Sequence, residues 1–145
     1  MIQYRRMEKK DTDAVTILFE DCFSHPWKKE AIGEMVLTDG YISLVAESEH
    51  GIVGYIGFRQ ALDEADITNV AVSPEQRRKG IGRQLLVRLL QLAADRGITS
   101  IYLEVRISNH AAIALYEQAG FHVLGQRKNY YSQPEEDALL MLYKL

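Results

Sequence analysis

Apolar residues recur in two rhythms along this chain, and the clearest stretch lies just past its midpoint. Ile81, Leu85, Leu86, Leu89, Leu90 and Ala93 return at helical spacing, while Arg83, Arg88, Gln91 and Asp95 fall on the opposite side. Gly97 stands where a left-handed residue would end that helix. Residues 100–107 then switch to strict alternation. Ile101, Leu103, Val105 and Ile107 share one face of a strand, and Tyr102, Glu104 and Arg106 the other. Strand, helix and strand in succession predict a parallel pair joined by a right-handed crossover.

The same rhythms order the rest. A short strand over 2–6 precedes a helix that begins near Asp11 or Thr12, either of which can cap free N–H groups, with Ala14, Ile17, Leu18 and Phe23 as its apolar side. His25-Pro26-Trp27 interrupts it, and a second helix is predicted over 28–37, before the turn at Asp39-Gly40. Segments 41–47 and 52–62 read as a hairpin around His50-Gly51, and 66–72 as a third strand after the polar break at Asp63-Glu64. Asn109 can cap another helix that runs to about Gln118 and stops at Gly120; strands over 121–130 and 138–145 close the order. The pattern predicts a mixed α/β fold. With 145 residues, no internal repeat and no linker, it reads as one domain over 1–145.

Composition removes several classes. A chain 47% hydrophobic and 26% charged has the balance of an ordered globule, not of a disordered or low-complexity scaffold. A net charge of −3 argues against a nucleic-acid partner. No apolar run is long enough to span a bilayer and none resembles a signal peptide, so no membrane partner is expected. Cys22 is the single cysteine and reads as a buried apolar residue in a reducing, cytoplasmic compartment. His25, His50, His110 and His122 lack metal-ligand spacing, and no metal is expected. The charge is uneven. Seven basic and fourteen acidic residues lie up to Glu75 and ten and six after it, giving −7 and +4. A local anion site in the second half would account for part of this.

The candidate for that site is the turn before the helical stretch, Arg77-Arg78-Lys79-Gly80-Ile81-Gly82-Arg83. Glycines let a backbone approach a ligand closely, and the free N–H groups of a helix's first turn suit a phosphate. The spacing is neither that of a P-loop nor that of a dinucleotide fingerprint, which lacks its third glycine here. A solvated basic turn is the alternative.

Val70-Ala71-Val72, Ser73-Pro74-Glu75 and the spacing of Arg77, Gly80 and Gly82 resemble the acetyl-CoA signature of the GCN5-related N-acetyltransferases. The order of elements resembles that family's over the whole chain. The resemblance implies a mixed sheet of six to seven strands with flanking helices and a splayed parallel pair. It also implies acetyl-CoA as co-substrate. Arg77, Arg78, Lys79, Gly80, Ile81, Gly82 and Arg83 would hold the pyrophosphate, and Val70, Ala71 and Val72 would face the pantetheine and thioester, with the Val72 amide a candidate oxyanion donor. Leu103-Glu104-Val105-Arg106-Ile107-Ser108-Asn109, the Ala112 to Glu117 run, Gly120-Phe121, Arg127-Lys128-Asn129-Tyr130-Tyr131 and Glu136-Asp137-Ala138 resemble the family's N-terminal acetyltransferases. Within these, the similarity is to enzymes that acetylate the N-terminal alanine of ribosomal small-subunit protein eighteen. Phe23-Ser24-His25-Pro26-Trp27 agrees with that group.

Acyl transfer to an α-amino group needs a base, because that group, with a pKa near 8, is roughly nine-tenths protonated at pH 7. Glu104 has the position the family gives its base, direct or through water, and partial burial would make it a stronger one. A carboxylate paired with Arg106 or Tyr102 is the structural alternative. Tyr116 matches the tyrosine that serves as acid near the CoA sulfur, where a core aromatic beside Leu115 and Phe121 is the alternative. Asn109 would cap its helix and, by the resemblance, also bind pantetheine, where a plain helix cap is the alternative. Trp27, Tyr41, Tyr130 and Tyr131 would line the acceptor site. Other readings are a family member that acetylates other protein N-termini, lysines or small amines, and a silent CoA-binding module. A monomer is compatible with the sequence.

Overall fold

The computed structural model describes residues 1–145. Its elements are β1 (Gln3–Arg6), α1 (Thr12–Cys22), α2 (Lys29–Leu37), β2 (Tyr41–Ser48), β3 (Gly51–Ala61), β4 (Glu64–Val72), α3 (Ile81–Asp95), β5 (Ser100–Arg106), α4 (His110–Ala119), β6 (His122–Tyr131) and β7 (Glu136–Lys144). The seven strands make one sheet in the order β1-β2-β3-β4-β5-β7-β6. Only β4 and β5 pair in parallel; the other neighbours are antiparallel. No helix is long and apolar enough to cross a membrane.

Alternation along the strands gives the sheet two apolar faces. Leu44, Ile56, Phe58, Ile101, Leu103 and Val105 join α3 and α4 in the larger core, while Val45, Tyr55 and Ala71 face α1 and α2 in the smaller. Leu85, Leu86 and Leu89 of α3 are at most 1% exposed, and burial of each stabilises the fold by about 1.5–3 kcal/mol. Gly54 sets how closely α3 approaches. A Cβ there would lie 3.0 Å from both Ile81 Cγ2 and Leu85 Cδ1. The far end of α3 closes as the sequence indicated. Gly97, at φ 74°, donates to Ala94 O and Ile98 to Ala93 O, both at 3.1 Å.

Four details differ from the sequence reading. Ile17 is 59% exposed, because Val15, Leu18 and Phe19 turn the apolar stripe of α1 away from it. Leu62 is not in β3: pairing runs out to Ala61 and Glu64, which leaves Leu62 and Asp63 as the turn, with Leu62 at φ 57°. Strand β4 therefore starts at Glu64, earlier than expected. Ile107 lies past the end of β5 and is exposed.

The parallel junction is short. Glu64, Ala65 and Asp66 pair with Ser100, Ile101 and Tyr102, after which β4 runs on to Val72 and β5 to Arg106 without pairing with each other. The sheet opens there into a V, and the functional groups collect around it.

Candidate active site

The open edge of β4 is defined by its partner on the other side. Ser73 N–H donates to Val53 O at 2.8 Å, and Val72 stands opposite Gly54. In an antiparallel ladder this phase makes Val72 and Val70 the residues whose backbone groups point away from β3, into the V. Accordingly, the Val72 carbonyl accepts from Cys22 Sγ at 3.4 Å and from Arg77 Nε at 3.1 Å. Ala71 differs from its expected role. It pairs with Tyr55 and buries its methyl group against α1 and α2, so it offers no free group to a cofactor. Arg77 also departs from expectation: its guanidinium folds back onto β4 and Cys22 instead of standing over the turn.

The turn leads into α3 with Gly80 at φ 82° and no side-chain cap. The first helical bond is from Gln84 N–H to Gly80 O, so the N–H groups of Ile81, Gly82 and Arg83 stay free at the positive end of the helix dipole. Arg78, Lys79 and Arg83 are exposed around them. These features fit an anionic ligand such as a pyrophosphate.

On the α1–α2 side of the V lies a cavity of about 550 Å3, lined by Val70, Glu104, Asn109, Tyr116, Tyr130 and Tyr131 among others. A second cavity, of about 480 Å3, shares Trp27, Thr68, Glu104, Tyr130 and Tyr131 with it and adds Tyr41 and Asp66. The structure thus brings together both proposed proton-transfer residues and all four proposed acceptor-site aromatics.

Glu104 projects from β5 opposite to Leu103 and Val105. Its partners are neither Arg106 nor Tyr102, which bond to Glu136 and Glu64. Instead Tyr130 Oη donates to Oε1 at 3.2 Å, and Arg127 Nε lies 2.8 Å from Oε2 as an ion pair. Tyr116, 6% exposed, bridges the core and the cavity. Burial, with a smaller contribution from Tyr131, pushes its hydroxyl up to about 12. The Asn109 side chain caps α4 by accepting from Ala112 N–H at 3.2 Å.

The aromatic wall is held by residues to which the sequence assigns no such role. Arg106 donates to the Ser132 and Pro134 carbonyls and stacks 4.4 Å from the Tyr131 ring. Asp137 accepts from Asn129 N–H at 2.9 Å and Gln126 Nε2 at 2.6 Å. It fixes a bulge, with Asn129 at φ 51°, that turns Tyr130 toward Glu104. Burial first, then the Glu104 charge, raises the Tyr131 hydroxyl to about 12.

A family model described as "Acetyltransferase (GNAT) family" matches residues 12–121. A protein from Bacillus subtilis (strain 168) is 37% identical over 138 residues, 94% of this chain and 91% of its own length. The [ribosomal protein bS18]-alanine N-acetyltransferase of Salmonella typhimurium is 37% identical over 134 residues, 90% of this chain and 89% of that protein. The crystal structure of the ribosomal-protein-S18-alanine N-acetyltransferase from Escherichia coli superposes with a TM-score of 0.92 at 32% identity, covering 99% of this chain and 94% of that one.

Proposed function

The chain belongs to the acetyltransferase (GNAT) family, and from that premise we propose that it moves the acetyl group of acetyl-CoA onto the α-amino group of the N-terminal alanine of ribosomal protein bS18, the reaction for which its relative from Salmonella typhimurium is named. The observation that carries this reading is the cavity between the arms of the V where Glu104 and Tyr116 meet the open edge of β4 between aromatic walls.

Bound acetyl-CoA supplies a thioester carbonyl and a thiolate leaving group. The free amides of Ile81, Gly82 and Arg83, with Arg78 and Lys79, would hold its pyrophosphate. Val70 and Val72 offer backbone groups along the V, and the Val72 N–H would stabilise negative charge on the carbonyl oxygen. Asn109 uses its side-chain oxygen as a cap, which leaves its amide nitrogen to donate to the pantetheine arm. Glu104 takes a proton from the incoming ammonium, directly or through water, so that the nitrogen can attack. The Tyr116 hydroxyl serves the departing sulfur. Trp27, Tyr41, Tyr130 and Tyr131 exclude water and hold the backbone behind the acceptor nitrogen.

The test is kcat/KM for acetyl transfer to an alanine-initiated peptide, a lysine peptide with a blocked N-terminus, and a polyamine. Transfer to the first at least tenfold above the others supports the proposal; preference for either of the others replaces the acceptor.

A further inference from the structure

In native folds nearly every buried polar atom has a hydrogen-bond partner, so exceptions are informative. In this chain two buried side-chain atoms have none, Asn69 Oδ1 and Glu104 Oε2. Both line the same cavity. They stand on opposite arms of the V, Asn69 on β4 and Glu104 on β5. Asn69, two residues before the inward-facing Ala71, shares the α1–α2 side of the sheet with Glu104. A bulge at Thr68 beside it, between the pairs Gly57–Asn69 and Phe58–Ile67, lets β4 aim this side chain. Arg127 lies close to Glu104 Oε2, but its N–H is not directed at that oxygen.

Two acceptor atoms that receive no hydrogen bond, one of them on a carboxylate whose charge Arg127 offsets from one side, form a site for a small cationic group that carries several N–H bonds. We propose that Asn69 Oδ1 and Glu104 together bind the acceptor's α-ammonium, and that Asn69 is a binding residue for the reacting nitrogen. This rests on the acetyl-transfer reading above. The two contacts do different work. When an ammonium N–H bond breaks and its proton passes to Glu104, the glutamate loses its charge and much of its hold on the nitrogen. Asn69 cannot take that proton and keeps its bond to a remaining N–H, which holds the amine while its lone pair forms the C–N bond and the C–S bond breaks. The second proton lost by the nitrogen leaves with the CoA sulfur, and Glu104 returns the first to water.

The test is a binding cycle that needs no turnover. With CoA present, dissociation constants are measured for an alanine-initiated peptide and its des-amino analogue, which begins with propionyl, on wild type, Asn69→Ala and Asn69→Asp. Wild type should favour the amino peptide. Asn69→Ala should reduce that preference by about 10- to 100-fold, as expected for one hydrogen bond to a charged donor, while CoA affinity and Tm hold. Asn69→Asp, which keeps an acceptor oxygen, should restore it. The near-isosteric Asn69→Leu should match Ala if Ala loosens the strand. A preference unchanged by Ala and Leu, or affinity for both peptides reduced alike, overturns the inference while wild-type turnover of the alanine peptide leaves acetyl transfer standing. Absence of that turnover overturns both.

Discussion

Tyr116→Phe distinguishes a tyrosine that gives up its proton from one that only donates a hydrogen bond. The hydroxyl is pushed up to about 12 by burial, whereas a thiol ionises near 8.5, so complete transfer to the leaving sulfur is uphill by about 5 kcal/mol in the resting cavity. A hydroxyl raised this far favours donating a hydrogen bond to the departing sulfur over handing it a full proton. A hydrogen bond to a charged acceptor stabilises it by about 1.5–3 kcal/mol, which corresponds to roughly a 10- to 150-fold loss of rate in the variant. Nothing within the chain bonds the hydroxyl, so its removal should leave Tm unchanged or slightly raised. The assay is single-turnover acetyl transfer at saturating peptide, which keeps product release from masking chemistry, with acetyl-CoA affinity measured in parallel. A rate within about twofold of wild type would remove Tyr116 from the reaction. A loss beyond about 10³-fold at unchanged Tm would refute the hydrogen-bond argument and restore full proton transfer.

Glu104→Gln should lower the single-turnover rate at pH 7 by about 10²- to 10⁴-fold, a deficit that shrinks by up to about tenfold above pH 8, where the acceptor amine deprotonates unaided. A pH–rate series reads both. Gly54→Val places methyl groups against Ile81 and Leu85, and should destabilise the fold by about 1–3 kcal/mol in urea melts and weaken acetyl-CoA binding by displacing the start of α3. Asp11 is held by two Arg5 hydrogen bonds of 2.8 Å, which keep its carboxyl below the usual range. Its contribution is therefore complete above about pH 4, where the unfolded carboxyl is also ionised, and is lost as pH falls through the lowered folded value. Asp11→Asn should lower stability at pH 7 by about 2–3 kcal/mol and flatten the acid limb of the Tm–pH curve.

Much of the architecture could be read from residues alone because the two faces of the sheet are written in period two and the stripe of α3 in period 3.6. The V could not. Its opening depends on where β4 and β5 stop pairing, and neither strand changes composition at Asp66 or Tyr102. The cluster of Glu104, Tyr116, Trp27, Tyr41, Tyr130 and Tyr131 was anticipated through family motifs, since these residues come from five separate segments. The supporting role of their neighbours is not legible in the sequence for the same reason. Arg106 and Asp137 act on a hairpin about 30 residues away or across a bulge, and Asn69 is marked only by the partner it lacks. The placement of Ala71 and Arg77 is not legible in the sequence either, because residues alone do not give the hydrogen-bonding phase of β4, which turns Ala71 to β3 and brings the Arg77 guanidinium to the Val72 carbonyl.

The central claim is the identity of the acceptor nitrogen. Intact-protein and N-terminal peptide mass spectrometry of ribosomal protein bS18, from cells that carry this protein and from the same cells lacking it, tests it most directly. The account predicts an acetylated N-terminal alanine in the first and a free one in the second, restored by wild type but not by Glu104→Gln. An N-terminus in the same state in both would contradict it.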